Sequence, residues 1–304
     1  MVKESVLKHQ SAEKQISVTN IPEISAIYFA LLQCGYDFYT IGRSLKHTET
    51  VRAFCSTKIK ADFFAEVRQD TCEVYPYWPR AALLETASFF ISSENAQLRD
   101  PKGLKNAIQS ACNLSDDERT PALWDWLMNF PGSLHQILSH NNFKAYLEWE
   151  NEWLREQNKI LKDDMRQIQK VLNFCCRQYR SEVFDEIILV LNPIKCVHAA
   201  DFHLIGSRFV FCSGALNMES VVHEFLHPIV HAVVEADREK VLQQKQKEIS
   251  LDIDRSYYLN GDAEGLLNAF EEFFVRKLTC AVLAPNPPLD LRSFFEKIIH
   301  SEKK

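Results

Sequence analysis

The sequence predicts an α+β protein, mostly α, with a helical N-terminal half packed on a smaller second domain that holds a small sheet and one histidine-bearing helix. Three observations predict it. Long stretches rich in Leu, Phe, Glu and Lys repeat their apolar residues at helical spacing. Only 8 of 304 residues are glycine, against an average of roughly 7 %, too few for the tight turns of an all-β chain. Two short β-branched runs, 186–191 and 208–212, interrupt the helical period late in the chain. The length suffices to bury a core without disulfides or metal.

Taken in order, residues 1–18 are polar and read as a flexible N-terminus. A helical domain follows over 19–180. Thr19-Asn20 before Pro22 signals a helix start, Ile24, Ile27, Tyr28, Leu31 and Leu32 supply its apolar face, and Gly35 ends it. Further helices are expected over 48–68 and 79–93, separated by the Pro-broken aromatic connection Tyr75-Pro76-Tyr77-Trp78-Pro79. Residues 94–120 read as a polar loop, after which Trp124, Trp126, Leu127 and Phe130 resume the core. From Asn142 to about Arg180 the apolar pattern marks one long amphipathic helix or a pair, and the seam between the halves.

The second domain, 181–304, opens with the two strands, which end at Asn192-Pro193 and at Ser213-Gly214. Helices are expected over 218–248, over 263–283 behind Asp262 as N-cap, and near 291–300 beyond Asn286-Pro287-Pro288. His198 and His203 fall between the strands on an expected loop.

Composition excludes several function classes. The 35 Lys+Arg are scattered among 41 Asp+Glu for a net charge of −6, unlike the gathered basic excess of a nucleic-acid binder. No two glycines are spaced as G-x-G, so dinucleotide and phosphate loops are not expected. Nine cysteines, odd in number and without a C-x-x-C pair, sit mostly in apolar runs and read as free thiols of a reducing compartment. The first residues, MVKESVLKHQSAEKQ, contain no apolar run, and no 18-residue window is both apolar and uncharged. The expectation is a cytoplasmic protein with neither nucleic acid nor membrane as partner.

One motif carries chemistry. His223-Glu224-Phe225-Leu226-His227 is H-E-x-x-H within an expected helix. Positions i and i+4 share a helix face, so two imidazoles can hold one Zn²⁺, while Glu224 sits where it can take a proton from a water. His231, at i+8 from His223, lies about 12 Å along the axis, too far to share that ion, and reads as a second-layer or packing histidine. The missing third ligand is sought in Phe270-Glu271-Glu272-Phe273-Phe274-Val275-Arg276, where a carboxylate in so aromatic a run would need a cation for company. Pro228, directly after His227, is expected to disturb the helix by removing the amide that would bond the Glu224 carbonyl.

On these two motifs the chain resembles the zincin metallopeptidases of the gluzincin branch, in which a glutamate from a second helix joins H-E-x-x-H. It is most similar to a bacterial group of uncharacterised metallopeptidase-like proteins with H-E-F-x-H followed by E-x-F-V-R. The resemblance implies a zinc metallopeptidase acting on a peptide or protein substrate, or else an inactive binding protein of that fold. It implies His223, His227 and Glu272 as ligands, with Glu271 in reserve, and Glu224 as general base. Tyr257 or Tyr258 would steady an oxyanion, Arg276 would orient Glu272, and the 208–212 strand would receive substrate as an added strand.

Overall fold

The computed structural model describes residues 16–36, 38–59, 62–67, 81–92, 97–112, 120–179, 184–245 and 263–300. A four-stranded sheet in the order β1-β2-β4-β3 forms the middle layer, built from β1 (Ile16–Thr19), β2 (Glu186–Leu191), β3 (Ala200–Ile205) and β4 (Arg208–Ser213). β1 and β4 run parallel to β2 on either side of it, and β3 is antiparallel to β4. Successive strand residues point to opposite faces. Ile187, Leu189, Phe209 and Phe211 accordingly enter one core, whereas Val190, Val210, Cys212 and Ile205 enter the other. Strands covered on both faces read as unbroken apolar runs, which is why Ile-Ile-Leu-Val-Leu and Phe-Val-Phe-Cys stand out in the sequence.

The first core holds α1 (Pro22–Gln33), α2 (Leu45–Phe54), α3 (Ala81–Ser88), α4 (Pro101–Cys112), α5 (Thr120–Leu127), α6 (Phe130–Ser139) and α7 (Asn141–Ile160). The second holds α8 (Lys162–Gln178), α9 (Met218–Ala236), α10 (Arg238–Lys245), α11 (Ala263–Leu283) and α12 (Leu291–His300). The protein is mostly helical with a small mixed sheet. No helix of the described residues is long and apolar enough to cross a membrane.

Several elements depart from the sequence reading. Ile16–Val18 are not frayed: Ile16 and Val18, β-branched and alternating, pair with Ile187 and Leu189. The N-cap of α1 is Ile21, while Asn20 bonds Asn151 instead. The expected 48–68 helix is the shorter α2, begun by Ser44, whose side chain accepts the His47 amide, and stopped at Cys55, with a separate 3-10 turn over Asp62–Glu66. Among the described residues of the expected 79–93 helix, only α3 is helical. The 94–120 loop contains α4, whose start is fixed by Asp100 accepting the Gly103 amide; only Leu104 and Ile108 are buried on its described face, too sparse a stripe to read as periodic. The long pattern after Asn142 resolves into α7 and α8, which meet at Leu161, and the 218–248 helix divides at Asp237. β3 was not anticipated. It closes a hairpin on β4 through Gly206, which adopts φ +62°, a left-handed conformation suited to glycine.

Beyond β2, Asn192 Oδ1 accepts the amides of Ile194 and Lys195, forming the turn that carries Lys195 back under the sheet. Gly214 lies against that turn, and a Cβ there would come within 2.1 Å of the Lys195 carbonyl oxygen.

Glu150 on α7 is fully buried, with Oε1 accepting from Ser25 Oγ at 2.9 Å and Oε2 unpartnered. Burial pushes its carboxyl up to about 8, against the hydrogen bond from Ser25 and the nearby Asn20 amide, which pull it down. A carboxyl that stays protonated in the fold but ionises in the unfolded chain makes folding take up a proton, so stability falls as pH rises between those two pKa values. Glu150→Gln removes that slope. Its urea midpoint should exceed the wild type at about pH 8–9 and converge on it toward about pH 5. A gap that stays constant across that range contradicts the assignment.

Candidate metal centre

α9 starts from Asn217, whose side chain accepts the amides of Glu219 and Ser220. Val221, Val222, Phe225, Leu226, Ile229 and Val230 are buried in the second core. That fixes the rotation of the helix and leaves His223, Glu224 and His227 on its half-buried flank. Pro228 does not break it: α9 runs through to Ala236. α11 packs along α9 and buries Phe270, Phe274, Val275 and Leu278, so that Glu271 and Glu272, both 15 % exposed, turn toward the histidines. From the sheet, Phe202 of β3 stacks on the His227 ring with centroids 5.7 Å apart and planes at 14°.

Three donor atoms converge. His223 Nε2 and His227 Nε2 are 3.3 Å apart, and Glu272 Oε2 lies 3.5 Å from the first and 3.3 Å from the second. Donors about 2.0–2.2 Å from a tetrahedral ion stand about 3.3–3.5 Å from one another, so this triangle has the dimensions of one face of such a coordination shell and leaves the fourth corner open. The residues present can hold a divalent cation.

The surroundings orient those donors. Glu271 Oε1 lies 3.1 Å from His227 Nδ1, which directs Nε2 inward, and Glu271 Oε2 lies 2.8 Å from His231 Nδ1. Arg276 Nε donates to Glu272 Oε1 at 2.6 Å and leaves Oε2 for the triangle. His231 therefore acts on the cluster through Glu271, and the two adjacent glutamates divide their work, one facing Nε2 and the other Nδ1 of the same imidazole.

The electrostatics favour a cation at this point. Burial opposes charge on His227, yet the hydrogen bonds it donates to Glu271 and Glu272 outweigh it and raise the imidazole to about 10. Burial likewise opposes the Glu272 carboxylate, and His223 and His227 outweigh it, holding the carboxyl well below its usual range. Glu224 behaves differently: burial dominates and lifts it to about 7, with His227 and His223 pulling it back. A carboxyl poised there can both take and return a proton near neutral pH.

A second convergence, Glu85, His203 and Cys212, lies on the opposite face of the sheet and is fully buried. It does not fit a metal. Lys195 Nζ already supplies the cation, 2.8 Å from Glu85 Oε1 and 2.6 Å from Asp201 Oδ2. Glu85 also accepts from Tyr28 Oη and faces His203 Nε2 at 2.7 Å, and His203 Nδ1 meets Thr86 Oγ1 at 2.9 Å. Burial alone would raise Glu85; Lys195 and His203 overcome it and draw the carboxyl down to about 2.

His203 thus lies on strand β3, not on a loop. The expected substrate-receiving strand 208–212 is β4, which is paired on both sides by β2 and β3; the edge strand on that side of the sheet is β3, unpaired on its outer side among the described residues. Tyr257, Tyr258 and Asp262 lie outside the described residues. Sequence reasoning missed Glu85, Lys195, Asp201 and Phe202, because none has a local pattern that announces its distant partners. Compared with protein families, curated proteins and solved structures, the chain matches none.

Removing one partner of a buried ion pair strands the other's charge. Lys195→Met should cost about 3–5 kcal/mol in urea unfolding, and adding Glu85→Gln to it should recover part of the loss. A double variant no more stable than Lys195→Met alone contradicts the pairing.

Proposed function

We propose that the chain is a zinc-dependent metallopeptidase of gluzincin type, with His223, His227 and Glu272 holding the ion and Glu224 as general base. The observation that carries this reading is the triangle of donor atoms 3.3–3.5 Å apart with Glu224 beside it. Zinc bound there would supply Lewis acidity, making a water acidic enough to lose its proton near pH 7 and polarising a peptide carbonyl.

The chain's own residues do the rest. Glu224, at about 7, takes the proton of the attacking water and returns it to the departing amine. Glu271 and His231 hold His227 in one orientation, and Arg276 does the same for Glu272. The edge of β3 that no described strand pairs, and whose Phe202 touches His227, is the surface on which an extended peptide could add as a further strand. Tyr257 and Tyr258, between α10 and α11 in sequence, are the oxyanion candidates this reading takes from the resemblance. None of the cysteines whose side chains are described forms a disulfide, in keeping with a reducing, cytoplasmic setting.

Glu224→Gln should leave the zinc content of the full chain unchanged and lower peptide hydrolysis by about 10²–10⁴-fold. Glu272→Ala should lose the metal, whereas Glu271→Ala should only weaken its binding, by about 10–100-fold. Zinc retained in full by Glu272→Ala would overturn the ligand assignment. Zinc at full occupancy with no cleavage of a broad peptide library would overturn the peptidase reading in favour of a metal-bearing peptide-binding protein.

A further inference from the structure

β3 is the outermost strand beside α9, and its second residue, Asp201, directly precedes the Phe202 that stacks on His227. Strand alternation turns Asp201 to the other face of the sheet, where Lys195 Nζ meets its Oδ2 at 2.6 Å. Behind Lys195, which is 1 % exposed, stands Glu85, which is 0 % exposed, then His203 and Tyr28. This chain of charge starts in the first core and comes out at Asp201, whose side chain is 28 % exposed.

Removing an ammonium and a carboxylate from water costs several kcal/mol per ion, and apolar side chains of like volume often serve stability as well. What the network accomplishes at the surface is to fix one carboxylate at the mouth of the sheet edge. Lys195 divides a single positive charge between Glu85 and Asp201. Asp201 Oδ1 makes no hydrogen bond among the described residues, so an acceptor is left over for an incoming donor.

We propose that Asp201 is a specificity-determining residue that binds an alkylammonium group of the peptide lying along β3, supplied by a free amino terminus or by a lysine side chain. The inference rests on the proposed reading of this site as one that takes peptides, and not on whether it cleaves them. A carboxylate held rigid by a buried cation loses little freedom on binding and meets an ammonium in a partly desolvated place, where a charge-assisted hydrogen bond is at its strongest.

Binding tests this separately from catalysis. The full chain carrying Glu224→Gln is titrated with three hexapeptides labelled with a fluorophore at the carboxyl end: alanyl with a free amino terminus, the same peptide N-acetylated, and an N-acetylated peptide with one central lysine. The expected result is binding of the first or the third at least about tenfold tighter than the second, with the difference shrinking as salt is raised. Preference for the first alone identifies the terminus, and preference for the third alone identifies the side chain. Asp201→Asn should reduce the favoured peptide to the affinity of the acetylated alanyl one. Asp201→Glu should keep part of the preference, and its urea midpoint guards against misfolding of the Asn variant. Equal affinities for all three, no binding of any, or a preference that survives Asp201→Asn would overturn the proposal. Wild-type hydrolysis measured alongside reads the peptidase assignment on its own: ammonium-selective binding without cleavage removes that assignment and leaves Asp201 in place.

Discussion

Everything at the candidate centre depends on α9 and α11 being locked side by side at one rotation each. H-E-x-x-H guarantees that two imidazoles lie one turn apart, but neither their Nε2 atoms nor the third donor is placed by that spacing alone. The placement comes from apolar residues. Phe225, Leu226, Val222 and Val230 on α9, with Phe270, Phe274 and Leu278 on α11, are all buried in the same core. Each helix can bury that stripe in only one orientation, and in it His223, His227 and Glu272 face one another. Three donor groups are thus held together by packing that does not involve them, the preorganisation a cation site calls for.

The sheet gives that pair of helices its other support and links it to the N-terminal half. β2 and β4 are apolar on both faces, so the two cores lie as separate layers on a shared sheet. β1, contributed from the start of the chain, pairs with β2 and ties the two halves together. The buried ions have a similar geometry: Glu85 on α3 reaches Lys195 and His203 on the sheet side, so a charge network crosses from the helical layer into the strand that borders the candidate centre. Such a network adds little net stability, but it fixes the register of α3 against β3, since any slip would strand a charge.

Much of this was legible in the sequence wherever the signal is local. α1, α9, α11, α12, β2 and β4 announce themselves by period, by β-branched runs or by proline, and the two ligand-bearing segments were recognisable from spacing and from a carboxylate pair set among phenylalanines. α4 was hidden because two buried residues make no visible stripe, and β3 because Ala-Asp-Phe-His-Leu-Ile mixes charged and apolar residues, as an edge strand does. β1 was hidden by its polar context. The choice between Glu271 and Glu272 was also beyond sequence, since adjacent helix residues point about 100° apart and only the rotation of α11 decides which one faces Nε2. The Glu85–Lys195–Asp201 network joins residues more than a hundred positions apart and has no sequence signature at all.

The most direct test of the central claim is X-ray absorption at the zinc edge on the full chain loaded with one equivalent of zinc. The account predicts a shell of about four light N/O scatterers at about 2.0–2.1 Å with the outer-shell pattern of two imidazoles, and a loss of one imidazole's signal in His227→Ala. A sulfur scatterer at about 2.3 Å, or a six-oxygen shell without imidazole, would place the metal elsewhere and contradict it.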